Sequence, residues 1–542
     1  MGGNMWYNND NNIRIISGGV KMGIYLNPGN DLFRQAVNSK IYVDKTMLIE
    51  ATNSLLDTSD KHICISRPRR FGKSMAANML SAYYSRDCDS RDLFSKLKIS
   101  KSDSFEKHLN KYNVFRFDIR GFASKSDNIK LMIDRLEKSI IRDLKREYAE
   151  LDLPDDYTSD EMLLEIYQTT GIPFVFIIDE WDCIFRVYKN DSEGQQLYLN
   201  YLRTLLKEQP YVALDYATGI LPVKKYGEHS ALNMYREYSM ANQKRFAEFT
   251  GFTADEVASL CKNHDMSGTN MKKWYNGYMV NGFEIYNPQS VVQAVTEHCF
   301  DNYWTKTETF EALQMYIKID MDGLRQSVIR MIAGEHIPVN TGKFQNDMVS
   351  LHSADDVLTL LIHLGYLTYD FDNKTAWIPN KEVQQEFINC IEDGGWEEVM
   401  NSLRQSDELL SATLACDSQK VAEILEEVHR KNTSVIAYNN EMSLSVTLSL
   451  AYYSARNSYE IFRELPSGKG FADLTFIPRK GVDSPAMVIE LKYNKTASNA
   501  LEQIKEKHYT EKLSAFSGEI LLVGISYDES KGHSCIIEKI VK

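Results

Sequence analysis

A chain of 542 residues carries 62 Lys and Arg against 75 Asp and Glu, a formal net charge of −13. Its 43% hydrophobic and 25% charged residues are those of a globular protein with room for roughly three or four domains. No apolar run reaches the roughly 18 residues of a membrane span, and an acidic chain meets a polyanion only through a local basic groove.

The N-terminal stretch through Lys21 is polar and Asn-rich, without the apolar core of a secretory signal. It is expected to be a disordered leader, with Met22 as an alternative start. Short apolar runs then predict strands at His62–Ser66, Val114–Asp118, Phe174–Asp179 and Ala213–Ile220. Helical spacing joins Ile129, Met132, Leu136, Ile140, Leu144 and Tyr148, and a further helix is expected over about Gly194–Lys207. Strand and helix in alternation predict an α/β parallel sheet. From about Asp301 the chain turns helical. The apolar helix Ala354–Leu364 is followed by two short predicted strands, Gly365–Tyr369 and Thr375–Pro379. That order fits a winged-helix-like module or a generic helical lid equally well. Beyond Gly394 come predicted helices Asp417–Lys431 and Glu441–Arg456. Strands Phe471–Ile477, Met487–Tyr493 and Glu519–Ser526 follow, with helix Ala497–Tyr509 between the last two. The eight cysteines form no CxxC pair, so a zinc or disulfide framework of cysteines is not expected and a reducing cytoplasm is.

Two constellations carry chemistry. The first is Arg67-Pro68-Arg69-Arg70-Phe71-Gly72-Lys73-Ser74, between a predicted strand and helix. A phosphate-binding turn needs converging backbone N–H groups, a helix N-terminus, a lysine and an Mg²⁺-ligating hydroxyl. Gly72, Lys73 and Ser74 meet these needs, although Arg67 stands where the GxxxxGK[ST] pattern has its first glycine. The apolar strand ending in Asp179-Glu180 supplies the second half. Asp179 would hold Mg²⁺ through water and Glu180 would polarise the attacking water. Thr218, at the next strand end, fits either a γ-phosphate sensor or an ordinary strand-end threonine. Arg67, Arg69 and Arg70 fit either phosphate or an acidic neighbour, and an arginine finger from another subunit is compatible with a homo-oligomer.

The second constellation is Asp473 followed by Glu490-Leu-Lys492. Two residues apart on a strand, Glu490 and Lys492 face the same side, with Asp473 on a neighbouring strand. Two carboxylates and an ammonium suit Mg²⁺-dependent phosphodiester hydrolysis. Gln503, Lys505 and Lys507 follow on the next helix, and Glu441 or Glu464 could add a carboxylate.

With these residues in hand, the chain resembles bacterial and archaeal proteins that fuse an AAA-ATPase-like domain to a C-terminal PD-(D/E)xK nuclease-like domain. The segments that carry the resemblance are Tyr42–Thr46, Arg67–Ser74, Ile178–Asp182, Thr218–Pro222, Tyr275–Tyr278 with Tyr286–Pro288, Gly365–Thr368, and Gly468 through Lys492. It implies an α/β fold with a P-loop NTPase parallel sheet over 22–300 and a helical or winged-helix-like region over 301–393. An α/β PD-(D/E)xK nuclease-like domain is implied over 394–542. It implies ATP and Mg²⁺ as cofactors, with Arg67 through Ser74, Asp179 and Thr218 around the nucleotide and Ser74 and Asp179 at the metal. It also implies catalytic roles for Glu180, Asp473, Glu490 and Lys492, with Asp473 and Glu490 as metal ligands, and nucleic acid as partner. Where members carry an Arg before the nuclease Asp, this chain has Phe471. The expected function is an ATP-hydrolysing switch on a metal-dependent nuclease. The alternative is an ATP-driven nucleic-acid- or protein-binding switch with an inactive nuclease fold.

Overall fold

Continuous apolar runs build the first sheet. β1 (His62–Ser66), β3 (Phe174–Asp179) and β4 (Val212–Gly219) are buried at every residue, as parallel strands covered on both faces must be. With β2 (Asn113–Asp118) and β5 (Arg236–Tyr238) they form a sheet of order β2-β3-β4-β1-β5 in which every pair is parallel. The computed structural model describes residues 23–223, 232–242, 245–280, 282–304, 313–314, 323–344, 351–393, 397–432, 447–467, 470–479, 481–507 and 518–540. The described residues divide into two compact units. The first runs to Asp301 and takes in Asn340–Lys374; the second comprises Asn302–Val339 and the chain from Thr375. The expected leader, Met22, Glu441 and Gly468 lie outside the described residues, as do the side chains of Glu464 and Phe471.

In the first unit, helices Lys73–Tyr84, Ile129–Glu147 and Ser192–Leu206 connect the strands. Asn128 caps the second through a 2.9 Å bond from Leu131 N, and its apolar stripe buries Met132, Leu136, Ile140 and Leu144. Asp191 caps the third, which starts two residues before the expected Gly194. A small antiparallel sheet of β6 (Phe252–Thr253), β7 (Tyr278–Val280) and β8 (Phe283–Tyr286) follows, in the order β6-β8-β7. The Tyr278 hydroxyl donates to Gly365 O at 2.8 Å, and Thr368 Oγ1 accepts from Met279 N at 2.9 Å. Helix Ala354–Leu364 has the predicted bounds: a Ser353–Asp356 capping box opens it and Gly365, at φ +87°, closes it. The stretch 301–393 is shared between the units, with β10 (Thr368–Asp370) in the first. β9 (Ile337–Pro338) and β11 (Thr375–Trp377), paired antiparallel, lie in the second.

The second unit holds a mixed sheet of β12 (Tyr459–Ser467), β13 (Gly470–Pro478), β14 (Ala486–Tyr493), β15 (Ile520–Asp528) and β16 (Gly532–Ile540), in that order. Only β14 and β15 are parallel, joined by helix Ala497–Glu506, shorter than the expected Ala497–Tyr509. That helix packs Leu501 and Ile504 on Val488, Ile520 and Leu522. Helices Glu397–Leu414 and Ser418–Asn432 cover the opposite face, where Leu409, Val421, Leu425 and Val428 meet Leu474, Ile489, Leu491, Val523 and Ile525. The fold is α/β throughout.

Candidate nucleotide and metal sites

Parallel register brings four strand ends of the first sheet into line: Asp118 beside Asp179, Asp179 beside Thr218, and Thr218 beside Ile65. Ligands of such sheets bind at the carboxyl ends of the strands. From β1 the chain enters the turn Arg67–Phe71. Arg70 (φ +70°) and Gly72 (φ +84°) both adopt left-handed backbone before helix Lys73–Tyr84 begins. A Cβ on Gly72 would meet nothing within 4 Å, so the glycine serves the backbone angle alone. Lys73 is 5% exposed and its ammonium donates to Arg67 O (3.0 Å) and Pro68 O (2.8 Å), closing the loop on itself. Burial lowers its pKa, opposed by the charges of Glu180, Asp179 and Asp182.

Across the sheet, Asp179 is buried and its pKa raised by that burial, opposed by a hydrogen bond from Ser74 and by Arg116 at 3.9 Å. Glu180 follows with φ +54°, a strained conformation that turns Trp181 into the core. Arg186 pairs with the Glu180 carboxylate and, at 3.3 Å, with Asp182. Asp182 is fully buried, and its Oδ2 also accepts from Leu221 N at 2.9 Å. Gly219 is required beside it, since a Cβ there would lie 2.5 Å from Asp182 Oδ1. Thr218 is fully buried and its hydroxyl makes no hydrogen bond with the described groups.

Two side chains of the turn are buried. Arg67 does not lie along the loop mouth: its guanidinium, 1% exposed, donates to Ser66 O and Tyr238 O at 3.0 Å and fastens the turn to β5. Burial lowers its pKa to about 9. Phe71 is likewise buried, edge-on to Tyr278 at 5.2 Å, and its carbonyl accepts from Gly251 N at 3.0 Å. Those two side chains anchor the turn, and its backbone together with Gly72, Lys73 and Ser74 is what faces the strand ends. Pro68 contributes its carbonyl to Lys73, and Arg69 and Arg70 are half-buried. Sequence reasoning missed Asp182 and Arg186, whose i, i+4 spacing directly after the acidic strand end was the available signal.

In the second sheet, the register Leu474↔Ile489 continues to set Asp473 beside Glu490. Asp473 Oδ2 accepts from Leu491 N at 2.7 Å. Lys492 donates to Glu490 Oε1 at 3.0 Å, and Gln503 reaches the same oxygen from the crossover helix. Gly524, opposite Glu490, admits that helix: a Cβ there would stand 2.4 Å from Ala497 O. Glu490 is 2% exposed, and its other oxygen, Oε2, has no hydrogen-bond partner among the described residues. Burial, reinforced by the Asp473 charge, raises its pKa to about 7. A buried carboxylate oxygen without a donor, next to a second carboxylate, is what a hard divalent cation fits. Lys505 is committed to Glu538 at 2.6 Å. No described helix is long and apolar enough to cross a membrane, and none of the eight cysteines is disulfide-bonded.

The family described as predicted AAA-ATPase matches residues 31–227, and the PD-(D/E)XK nuclease superfamily matches residues 445–537. An uncharacterised protein in the vnfD 5′ region of Azotobacter chroococcum mcd 1 is 23% identical over 515 residues, covering 90% of this chain and 92% of that one. Among solved structures, the ORC2 protein of Aeropyrum pernix in ADPNP–ADP complexes aligns at 10% identity over 66% of this chain and 97% of its own, with a TM-score of 0.30. Cdc6p from Pyrobaculum aerophilum aligns at 9% identity over 67% and 98%, with a TM-score of 0.25. The chain is thus similar to the predicted AAA-ATPase family over residues 31–227 and to the PD-(D/E)XK nuclease superfamily over residues 445–537.

Proposed function

We propose that the chain binds and hydrolyses ATP at the first site and cleaves phosphodiester bonds of nucleic acid at the second, with ATP controlling the cleavage. The observation that carries this reading is the pair of acidic strand ends: Asp179 beside the Lys73–Ser74 turn in one sheet, and Asp473 beside Glu490, whose Oε2 has no described donor, in the other. Lys73 would release the loop carbonyls and take the β- and γ-phosphates, whose charge offsets its burial. Ser74 and Asp179 would hold Mg²⁺, and Glu180, on leaving Arg186, would orient the attacking water. Thr218 would approach the γ-phosphate from the neighbouring strand. At the second site Asp473 and Glu490 would hold the metal, and Lys492 would meet the charge developing on the scissile phosphate. Mg²⁺, when bound, supplies Lewis-acid charge at both sites and acidifies water at the second.

We place the working boundaries at 22–300, 301–393 and 394–542, the protein in the cytoplasm, and a homo-oligomer as the source of any further arginine. The backbone of Phe471 occupies β13 where related proteins carry Arg, so a phosphate contact made there by others would fall to Lys492. The test is Mg²⁺-dependent phosphate release from ATP. Loss in Lys73→Ala and Asp179→Ala, with ATP binding retained in Glu180→Gln, supports the ATPase reading. Turnover unchanged by Lys73→Ala would end it.

A further inference from the structure

A second cluster of metal-ligating side chains lies on the far side of the C-terminal sheet. Glu426 and His429, three residues apart, share one face of helix Ser418–Asn432. His533, near the start of β16, stands in register opposite Tyr527. Alternation along β15 and β16 puts Tyr527 and His533 on the face covered by that helix, while Gly524 faces helix Ala497–Glu506. The cluster and Glu490 are therefore on opposite faces of one sheet.

We infer that Glu426, His429 and His533 form a binding site for a divalent transition-metal ion of the zinc class, separate from the carboxylate site at Asp473 and Glu490. One ligand atom from each of the three lies within 4.8 Å of the others. His533 Nδ1 and Glu426 Oε2 are 2.8 Å apart, and the rings of His429 and His533 stand at 86° with centroids 5.1 Å apart. Two imidazoles and one carboxylate are a borderline-soft donor set that suits Zn²⁺, Fe²⁺ or Ni²⁺ rather than Mg²⁺, and three ligands leave a position for water.

The surroundings fit a cation. The His533 side chain is fully buried and His429 is 5% exposed, whereas Glu426 is 52% exposed, so the inner side is closed and the carboxylate side open. Glu426, Asp528 and Glu529 concentrate negative charge about Tyr527. Gly532, at φ +76°, lets the strand start here: a Cβ would come within 2.8 Å of Glu426 Oε2. A simple hydrogen-bonded clip is already complete with Glu426 accepting from His533 N at 3.0 Å and contacting its ring. The third donor, His429, buried beside them, is what makes a metal set of it. The ion would fasten the helix to the edge strand β16 across 107 residues of chain.

The test uses the full-length chain and Zn²⁺ alone, dialysed against excess Mg²⁺ so that carboxylate sites are filled, with retained zinc measured by mass spectrometry. About one zinc per chain is expected, with at least a tenfold loss of affinity in His429→Asn, His533→Asn and Glu426→Gln, and none in Glu490→Ala. Co²⁺ in place of zinc should give visible d–d bands in wild type that vanish in His533→Asn, while circular dichroism checks that the variants fold. No zinc on the wild-type chain overturns the inference. So does equal retention by the doubly substituted His429→Asn, His533→Asn chain, or release of the zinc by Glu490→Ala.

Discussion

The two acidic strand ends, β3 in the first unit and β14 in the second, hold their carboxylates with different partners. At β3 each acid has a partner within the chain, Asp179 in Arg116 and Glu180 and Asp182 in Arg186, although Asp182 Oδ1 is buried without a donor among the described residues. At β14 no arginine takes part: Lys492 and Gln503 both go to Glu490 Oε1, and Oε2 is buried without a donor among the described residues. The first network ties its acids to arginines, so on the proposed reading a nucleotide would have to displace Lys73 from its loop carbonyls and draw Glu180 from Arg186. The second retains an unfavourable buried carboxylate that a cation relieves. Ligand binding should therefore rearrange the first site and stabilise the second.

The largest effects should come from removing the charges on which each chemistry depends. Lys73→Ala should lower ATP turnover, and Glu490→Ala nucleic-acid cleavage, each by about a thousandfold in steady-state assays. Next is Arg186→Ala, which leaves Asp182 buried without its cation. Denaturant unfolding should show a loss of about 3–5 kcal/mol in the first unit's transition, and little change in the second's. Gly524→Ala tests the other side. Its Cβ must push helix Ala497–Glu506 off the sheet, costing about 1–3 kcal/mol by thermal unfolding and weakening metal binding as Gln503 withdraws.

The smallest effect is pH-dependent. The folded-state pKa of Glu490, about 7, lies above its ordinary value of 4.5, so the folded protein binds a proton that the unfolded chain has released. That contribution is fully present below pH 4.5 and is lost as pH rises towards 7. In metal-free protein at pH 8, Glu490→Gln should therefore be more stable by about 1–2 kcal/mol, the gap closing at pH 5 in parallel melts. Metal uptake by wild type should run the other way, strengthening as pH rises through 7, because the ion needs the carboxylate.

The sequence was most legible where burial is continuous. β1, β2, β3 and β4 fall within a residue of expectation because apolar runs of five or more residues have no other use in an α/β chain. Of the edge strands of the two five-stranded sheets, β5, β12 and β16 were missed while β2 was read. β5 reads Arg-Glu-Tyr, β12 follows directly on a 3₁₀ turn, and β16 mixes polar and apolar residues because one side meets solvent. Their pairing comes from the neighbour's register, which no local pattern encodes. Residue types and spacings brought Ser74 to Asp179 and Asp473 to Glu490. They did not tell Arg67 and Phe71, which point inward, from the residues that face the strand ends. The same limit hid Arg186, whose partner is chosen by the strained turn at Glu180, and His429 with His533, which only the sheet brings together. Segments that carried the family resemblance prove to be joints as much as sites. Asp44 takes Lys98 N at 2.7 Å, Tyr278 holds Gly365, and Asn287 caps helix Pro288–Glu297.

The central claim is two sites with one controlling the other, and the most direct measurement is Mg²⁺- or Mn²⁺-dependent cleavage of single- and double-stranded DNA and RNA, with and without ATP. Wild type, Lys73→Ala and Glu490→Ala should be run side by side. The account predicts cleavage by wild type that responds to ATP, cleavage by Lys73→Ala that no longer does, and none by Glu490→Ala. ATP hydrolysis with no cleavage of any substrate under either metal would contradict it, and would make the C-terminal domain a binding module.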